Sequence, residues 1–120
     1  MKMRIQGNAI RFRLNRREVD EFAGVGYVRA TIGFPGGRSL TYAVERGGTG
    51  QVNAEFSNDA IRIQVPETTL RDWAGSDQVS IQARLANLEV ILEKDFQCLH
   101  KGDAGKDPDA YPNPMAEPAA

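Results

Sequence analysis

Asn8-Ala-Ile-Arg-Phe-Arg-Leu-Asn-Arg-Arg-Glu-Val-Asp-Glu-Phe-Ala-Gly24 aligns without a gap with Asp59-Ala-Ile-Arg-Ile-Gln-Val-Pro-Glu-Thr-Thr-Leu-Arg-Asp-Trp-Ala-Gly75. Five of the seventeen positions are identical: Ala9/Ala60, Ile10/Ile61, Arg11/Arg62, Ala23/Ala74 and Gly24/Gly75. Six more are conservative, among them Val19/Leu70, Glu21/Asp72 and Phe22/Trp73. Self-similarity at a fixed spacing bears on the whole architecture, so it is read first. Any two strand-helix units share some binary pattern. Here the likeness continues on both sides of the matched segment, which favours a duplication.

Extended outward, the repeat reads as two units of strand, strand, helix, strand, strand. Lys2 to Gln6 turns at Gly7-Asn8 into Ile10 to Leu14, where Ile10, Phe12 and Leu14 alternate with Arg11 and Arg13 as a half-buried strand requires. Asn15 with Glu18 three residues on has the form of a capping box. Val19, Phe22 and Ala23 then make a narrow apolar stripe, and Gly24 is the expected stop. A hairpin follows, with Val28, Ala30, Ile32 and Phe34 going out, a turn at Pro35-Gly36-Gly37, and Leu40, Tyr42 and Val44 returning.

Arg46-Gly-Gly-Thr-Gly50 reads as a linker. The segment after it is a strand and carries no Gly-Lys-Ser/Thr, which argues against a phosphate loop. The second unit repeats the plan. Val52, Ala54 and Phe56 lead through Ser57-Asn58-Asp59 to Ile61, Ile63 and Val65. A short helix after Pro66 carries Leu70, Trp73 and Ala74. Val79 to Leu85 and Leu88 to Leu92 then flank a turn at Ala86-Asn87.

The expected fold is mainly β (α+β). It is a single eight-stranded barrel-like domain over residues 1–100, built from duplicated units at 2–46 and 51–95 with pseudo-two-fold symmetry. Two short helices cannot cover eight strands from outside. The apolar face is therefore placed inward, with Phe22 and Trp73 plugging the barrel mouths. Residues 101–120 shift to Gly, Asp, Pro and Ala and read as an extended, partly disordered tail, with Tyr111 and Pro112-Asn-Pro114 expected to dock on the barrel.

Length and charge narrow the function classes. A chain of 120 residues forms one domain and buries about two thirds of its unfolded surface. A net charge of −1 implies neither nucleic acid nor membrane as a partner. The cations are uneven, however: Lys2, Arg4, Arg11, Arg13, Arg16 and Arg17 all precede the first acid, Glu18. The single cysteine, Cys98, allows no internal disulfide and fits a reducing compartment. No apolar run follows the basic N-terminus. These features point to a cytoplasmic protein, monomeric or weakly dimeric.

Three constellations bear on chemistry. Arg11, Arg13, Arg62 and Arg84 occupy polar strand faces and could grip an oxyanion, with Glu89 or Glu93 holding Mg²⁺. In a tunnel, such a set would resemble the triphosphate tunnel metalloenzymes in architecture, although their Glu-x-Glu-x-Lys signature is missing. On an outer face it would form a solvated, partly paired surface. Asp95, Cys98 and His100 form the second constellation, in which the one cysteine and one histidine make half of a typical zinc shell and Asp95 could add to it. The third reading treats Cys98 and His100 as a nucleophile and base. Side chains two apart on a strand stand about 6 to 7 Å apart, too far for that without a bend.

Lys2-Met-Arg-Ile-Gln-Gly-Asn-Ala-Ile-Arg-Phe-Arg-Leu14, Glu18-Val-Asp-Glu-Phe22, Glu93-Lys-Asp-Phe-Gln-Cys-Leu99 and Asp109-Ala-Tyr-Pro-Asn-Pro114 resemble a family of short bacterial proteins classed as a domain of unknown function. The resemblance spans nearly the whole chain and implies no activity, cofactor or partner. The leading expectation is a noncatalytic module needing no cofactor and binding a protein partner or a small anionic ligand. The alternative is a Mg-dependent phosphate-ester or nucleotide-handling enzyme with the four arginines as clamps.

Overall fold

The computed structural model describes residues 1–48 and 50–96. The expectations for Cys98, His100, the 101–120 tail and Tyr111 concern residues outside these. Ten elements follow in order: β1 (Lys2–Gln6), β2 (Ala9–Leu14), α1 (Arg16–Val25), β3 (Tyr27–Gly33), β4 (Ser39–Arg46), β5 (Asn53–Ser57), β6 (Ala60–Val65), α2 (Glu67–Ala74), β7 (Ser80–Leu85) and β8 (Leu88–Lys94).

Alternation of apolar and polar residues makes the strands, and short turns make the hairpins. At Asn58-Asp59 both central residues have positive φ, 51° and 60°, which Asn and Asp tolerate and which matches the twist of the flanking strands. Helix α1 starts on the anticipated capping box. The Asn15 side chain accepts from the Glu18 N–H, and the Asn15 N–H donates to the Glu18 carboxylate, each at 2.9 Å. Glu18 also pairs with the Met1 amino group. The helix runs two residues further than Gly24 suggested. Gly26, at φ 105°, is the residue that adopts the left-handed cap, and its N–H donates to the Phe22 carbonyl.

The eight strands do not close into a barrel. They form two four-stranded sheets: sheet A in the order β1-β2-β8-β7 and sheet B in the order β3-β4-β6-β5. Hairpins from opposite halves of the chain join through parallel pairs, β2 with β8 and β4 with β6. No pairing links the edges β1 and β7 to the edges β3 and β5 among the described residues. The helices explain the open edges. Helix α1 packs on β2 of sheet A, on β3 and β4 of sheet B and on α2, while α2 packs on β7. Helix α1 bridges the two sheets, α2 packs on α1 and β7, and together they cover apolar surface that barrel closure would otherwise have to hide.

The apolar strand faces do point inward. Phe12, Leu14, Phe22, Val44, Val65 and Trp73 are fully buried in one cluster to which both sheets and both helices contribute. The Trp73 indole N–H donates to the Val79 carbonyl at 3.0 Å, so the largest core side chain leaves no polar atom unpaired. At the helix end, Lys94 donates to the Ser76 carbonyl beyond α2 at 2.7 Å, and Arg46 donates to Ala23 in the last turn of α1 at 3.4 Å. Both place a cation at the negative end of a helix. No helix among the described residues is long and apolar enough to cross a membrane.

Candidate functional site

With the apolar faces turned inward, the alternate residues of every strand form the two outer faces. On sheet A the strand register sets them in rows. Lys2, Arg13, Glu93 and Ser80 form the first, Arg4, Arg11, Ile91 and Gln82 the second, and Gln6, Ala9, Glu89 and Arg84 the third. Five cations therefore share this face with two carboxylates, and Asp95, just past β8, adds a third beside Lys2.

Most of these cations have a partner. Arg13 donates through Nε to Glu93 Oε1 at 2.6 Å, Arg84 Nη2 reaches Glu89 Oε2 at 3.3 Å, and Lys2 Nζ reaches Asp95 Oδ2 at 2.9 Å. The middle row differs. Arg11 touches Glu93 only at 3.9 Å, and Arg4, directly across from Arg11, has no carboxylate within 4.0 Å among the described residues. The two guanidinium-bearing side chains line a shallow depression of about 50 Å³ with Gln6, Ala9 and Ile91. Ile91 is 8% exposed on an otherwise polar face, so the depression has an apolar floor.

Sheet B carries the corresponding rows with a different charge pattern. Glu55, Arg62, Ala43 and Arg29 form its middle row. Arg62 Nη1 meets Glu55 Oε1 at 3.3 Å, and its Nε lies 3.9 Å from Glu45 Oε2. Arg29 stacks on the Tyr27 ring at 4.4 Å from its centroid. Asn53 and Gln64 bond across strands at 3.2 Å, as do Thr31 and Thr41 at 3.1 Å. Two cations and two carboxylates balance.

The four arginines singled out from sequence are thus divided. Arg11, Arg13 and Arg84 share the outer face of sheet A, whereas Arg62 lies on the outer face of sheet B, and among the described residues no tunnel gathers them. Arg4 stands in the N-terminal run of cations but outside that set of four. The signal was available: a shift of 51 residues sets Arg4 on Glu55, an acid opposite the arginine that matches Arg11. Of the metal candidates, Asp95 is paired with Lys2, and Cys98 and His100 lie outside the described residues. Among the described residues no group of three metal-ligating side chains converges.

Several larger clefts lie elsewhere. One of about 680 Å³ at the helix end is lined by Leu14, Val19, Lys94 and Phe96, among others. One of about 400 Å³ at the turn end is almost wholly apolar, with Ile10, Leu40, Phe56 and Leu88 in its walls.

The fold defines a mainly β protein of two open four-stranded sheets with two helices packed against them. Residues 1–115 match the model of a family of unknown function (DUF7009), and the chain belongs to that family. No curated protein and no solved structure matches the chain.

Proposed function

We propose that the protein is a noncatalytic binding module that presents the outer face of sheet A to an anionic partner. The observation that carries this reading is the contrast in charge between the two outer faces. Lys2, Arg4, Arg11, Arg13 and Arg84 face Glu89 and Glu93 on sheet A, while sheet B is balanced. A net positive field on one face of a small domain attracts opposite charge and orients its approach. The phosphate-ester enzyme reading gains less support, since its clamps would have to converge and Arg62 stands on the other sheet.

We also propose that the halves are copies of one strand-strand-helix-strand-strand unit. Support comes from the seventeen-residue match and from pairing. Lys2 opposite Arg13 has its counterpart, 51 residues on, in Asn53 opposite Gln64. The parallel pair Leu14 with Lys94 likewise corresponds to Val65 with Arg46.

The binding reading is tested with poly-L-glutamate as probe. Wild-type protein is expected to bind it at low ionic strength and to release it as salt screens the face. The Lys2→Glu/Arg84→Glu variant is expected to lose the binding, and Arg29→Glu on sheet B to keep it. No binding by the wild type at low salt would remove the reading.

A further inference from the structure

We infer that Arg4 and Arg11 form the specific seat on this face, holding one phosphate-type dianion, either inorganic phosphate or a phosphate monoester. The inference rests on reading sheet A's outer face as an anion-binding surface and assigns its selective centre.

Like charges directly opposite each other on neighbouring strands are destabilising. The scaffold does not require such a pair. At the matched place on sheet B it holds Glu55 against Arg62 at 3.3 Å. On sheet A the acid is replaced by Arg4, and nothing among the described residues compensates it. The neighbouring carboxylates are engaged elsewhere: Glu93 by Arg13 at 2.6 Å and Glu89 by Arg84 at 3.3 Å. An external anion relieves this repulsion.

The chemistry of the seat selects among anions. Each guanidinium carries five N–H donors, and one planar fork of them meets two oxygens side by side. A carboxylate has two oxygens and so occupies one fork. A phosphate monoester has three non-bridging oxygens and close to two negative charges at neutral pH, which match two forks and two positive charges. Gln6, on the rim of the depression, adds an amide donor. The floor of Ile91 and Ala9 keeps water from one side of the ion and strengthens each contact. Where Ile91 stands on sheet A, sheet B has Ala43, so both the charge and the floor set the seat apart.

Calorimetric titration of the full chain with inorganic phosphate, phosphoserine and acetate tests the inference. Wild type is expected to bind both phosphates at least about tenfold more tightly than acetate, a difference of about 1.4 kcal/mol. Tighter binding of inorganic phosphate assigns the free ion, and tighter binding of phosphoserine an ester. Arg4→Glu recreates the arrangement of Glu55 and Arg62, so its unfolding midpoint should match or exceed that of wild type while phosphate binding drops at least about tenfold. Equal affinity for acetate and phosphate, or phosphate binding unchanged in Arg4→Glu, would overturn the inference. If either occurs while wild type still binds poly-L-glutamate, only the seat is refuted. If wild type ignores poly-L-glutamate as well, the surface reading falls with it.

Discussion

Arg4 and Glu55 stand at the same place on two sheets, each opposite an arginine, and the sheets differ most at that point. Turned inward, the two sheets are alike. Phe12 and Ile63, Leu14 and Val65, Phe22 and Trp73 all fill one core with little or no exposure. Turned outward, one sheet is neutral and internally paired, and the other sets two arginines directly opposite each other on neighbouring strands. Core positions are constrained by packing, where a change of one methylene is felt. Outer positions are not, because exposed ion pairs contribute little to stability. Charge there is free to follow function, which is why the difference is instructive.

The likeness of the interiors can be broken by truncation. Phe22→Ala and Trp73→Ala should each destabilise by about 3 to 5 kcal/mol in urea unfolding, because both side chains are fully buried. A near-neutral result for either would show that the two helices do not serve one core.

The helix ends sharpen the comparison, since here the halves diverge. Gly26 after α1 has φ 105°, and Gly75 after α2 has φ −95°. Gly26→Ala is therefore expected to cost about 1 to 2 kcal/mol, and its new methyl group would also press on the Arg46 guanidinium, 3.1 Å away. Gly75→Ala avoids the left-handed penalty, leaving only the 3.1 Å approach of its methyl to the Arg71 carbonyl oxygen, and should cost less. Equal losses would contradict the assigned cap geometry.

A smaller effect belongs to the β7–β8 turn, where Ala86 sits at φ 53°. Ala86→Gly should raise stability by about 0.5 to 1 kcal/mol, the relief of left-handed strain less the added entropy of the unfolded chain. An unchanged or lower midpoint would argue against that conformation.

Smallest of all are the outer charges. Glu55→Arg should cost no more than about 0.5 kcal/mol, because the Glu55 and Arg62 side chains are about half and one third exposed. A loss of several kcal/mol would mean that the pairing on sheet B is structural and the contrast between the faces less free than argued.

Much of the interior was readable from residue order. Alternation at Ile10, Phe12 and Leu14 and at Ile61, Ile63 and Val65 placed the strands and their buried side. Asn15 with Glu18 placed the start of α1, and the stripe of Leu70 and Trp73 placed α2. These signals are local, acting over two to four residues. The joining of β2 to β8 and of β4 to β6 was not readable, because the partners are some eighty and twenty residues apart and nothing local distinguishes them from other parallel neighbours. That pairing opened the expected barrel into two sheets.

The site was readable in part. Arg11 and Arg13 were picked out by their polar strand positions, but which arginines share a face depends on sheet membership. Arg62 therefore joins a set whose other members it never meets, and Arg4, visible in the N-terminal run of cations, stays outside that set. Comparing the halves position by position, beyond the seventeen aligned residues, would have found it.

The contrast between Arg4–Arg11 and Glu55–Arg62 is tested most directly by following the arginine Nε–Hε resonances in nitrogen-15 NMR while inorganic phosphate is added. Saturable shifts at Arg4 and Arg11 with Arg62 unmoved are the predicted outcome. Equal movement of Arg62, or no movement at Arg4, would contradict it.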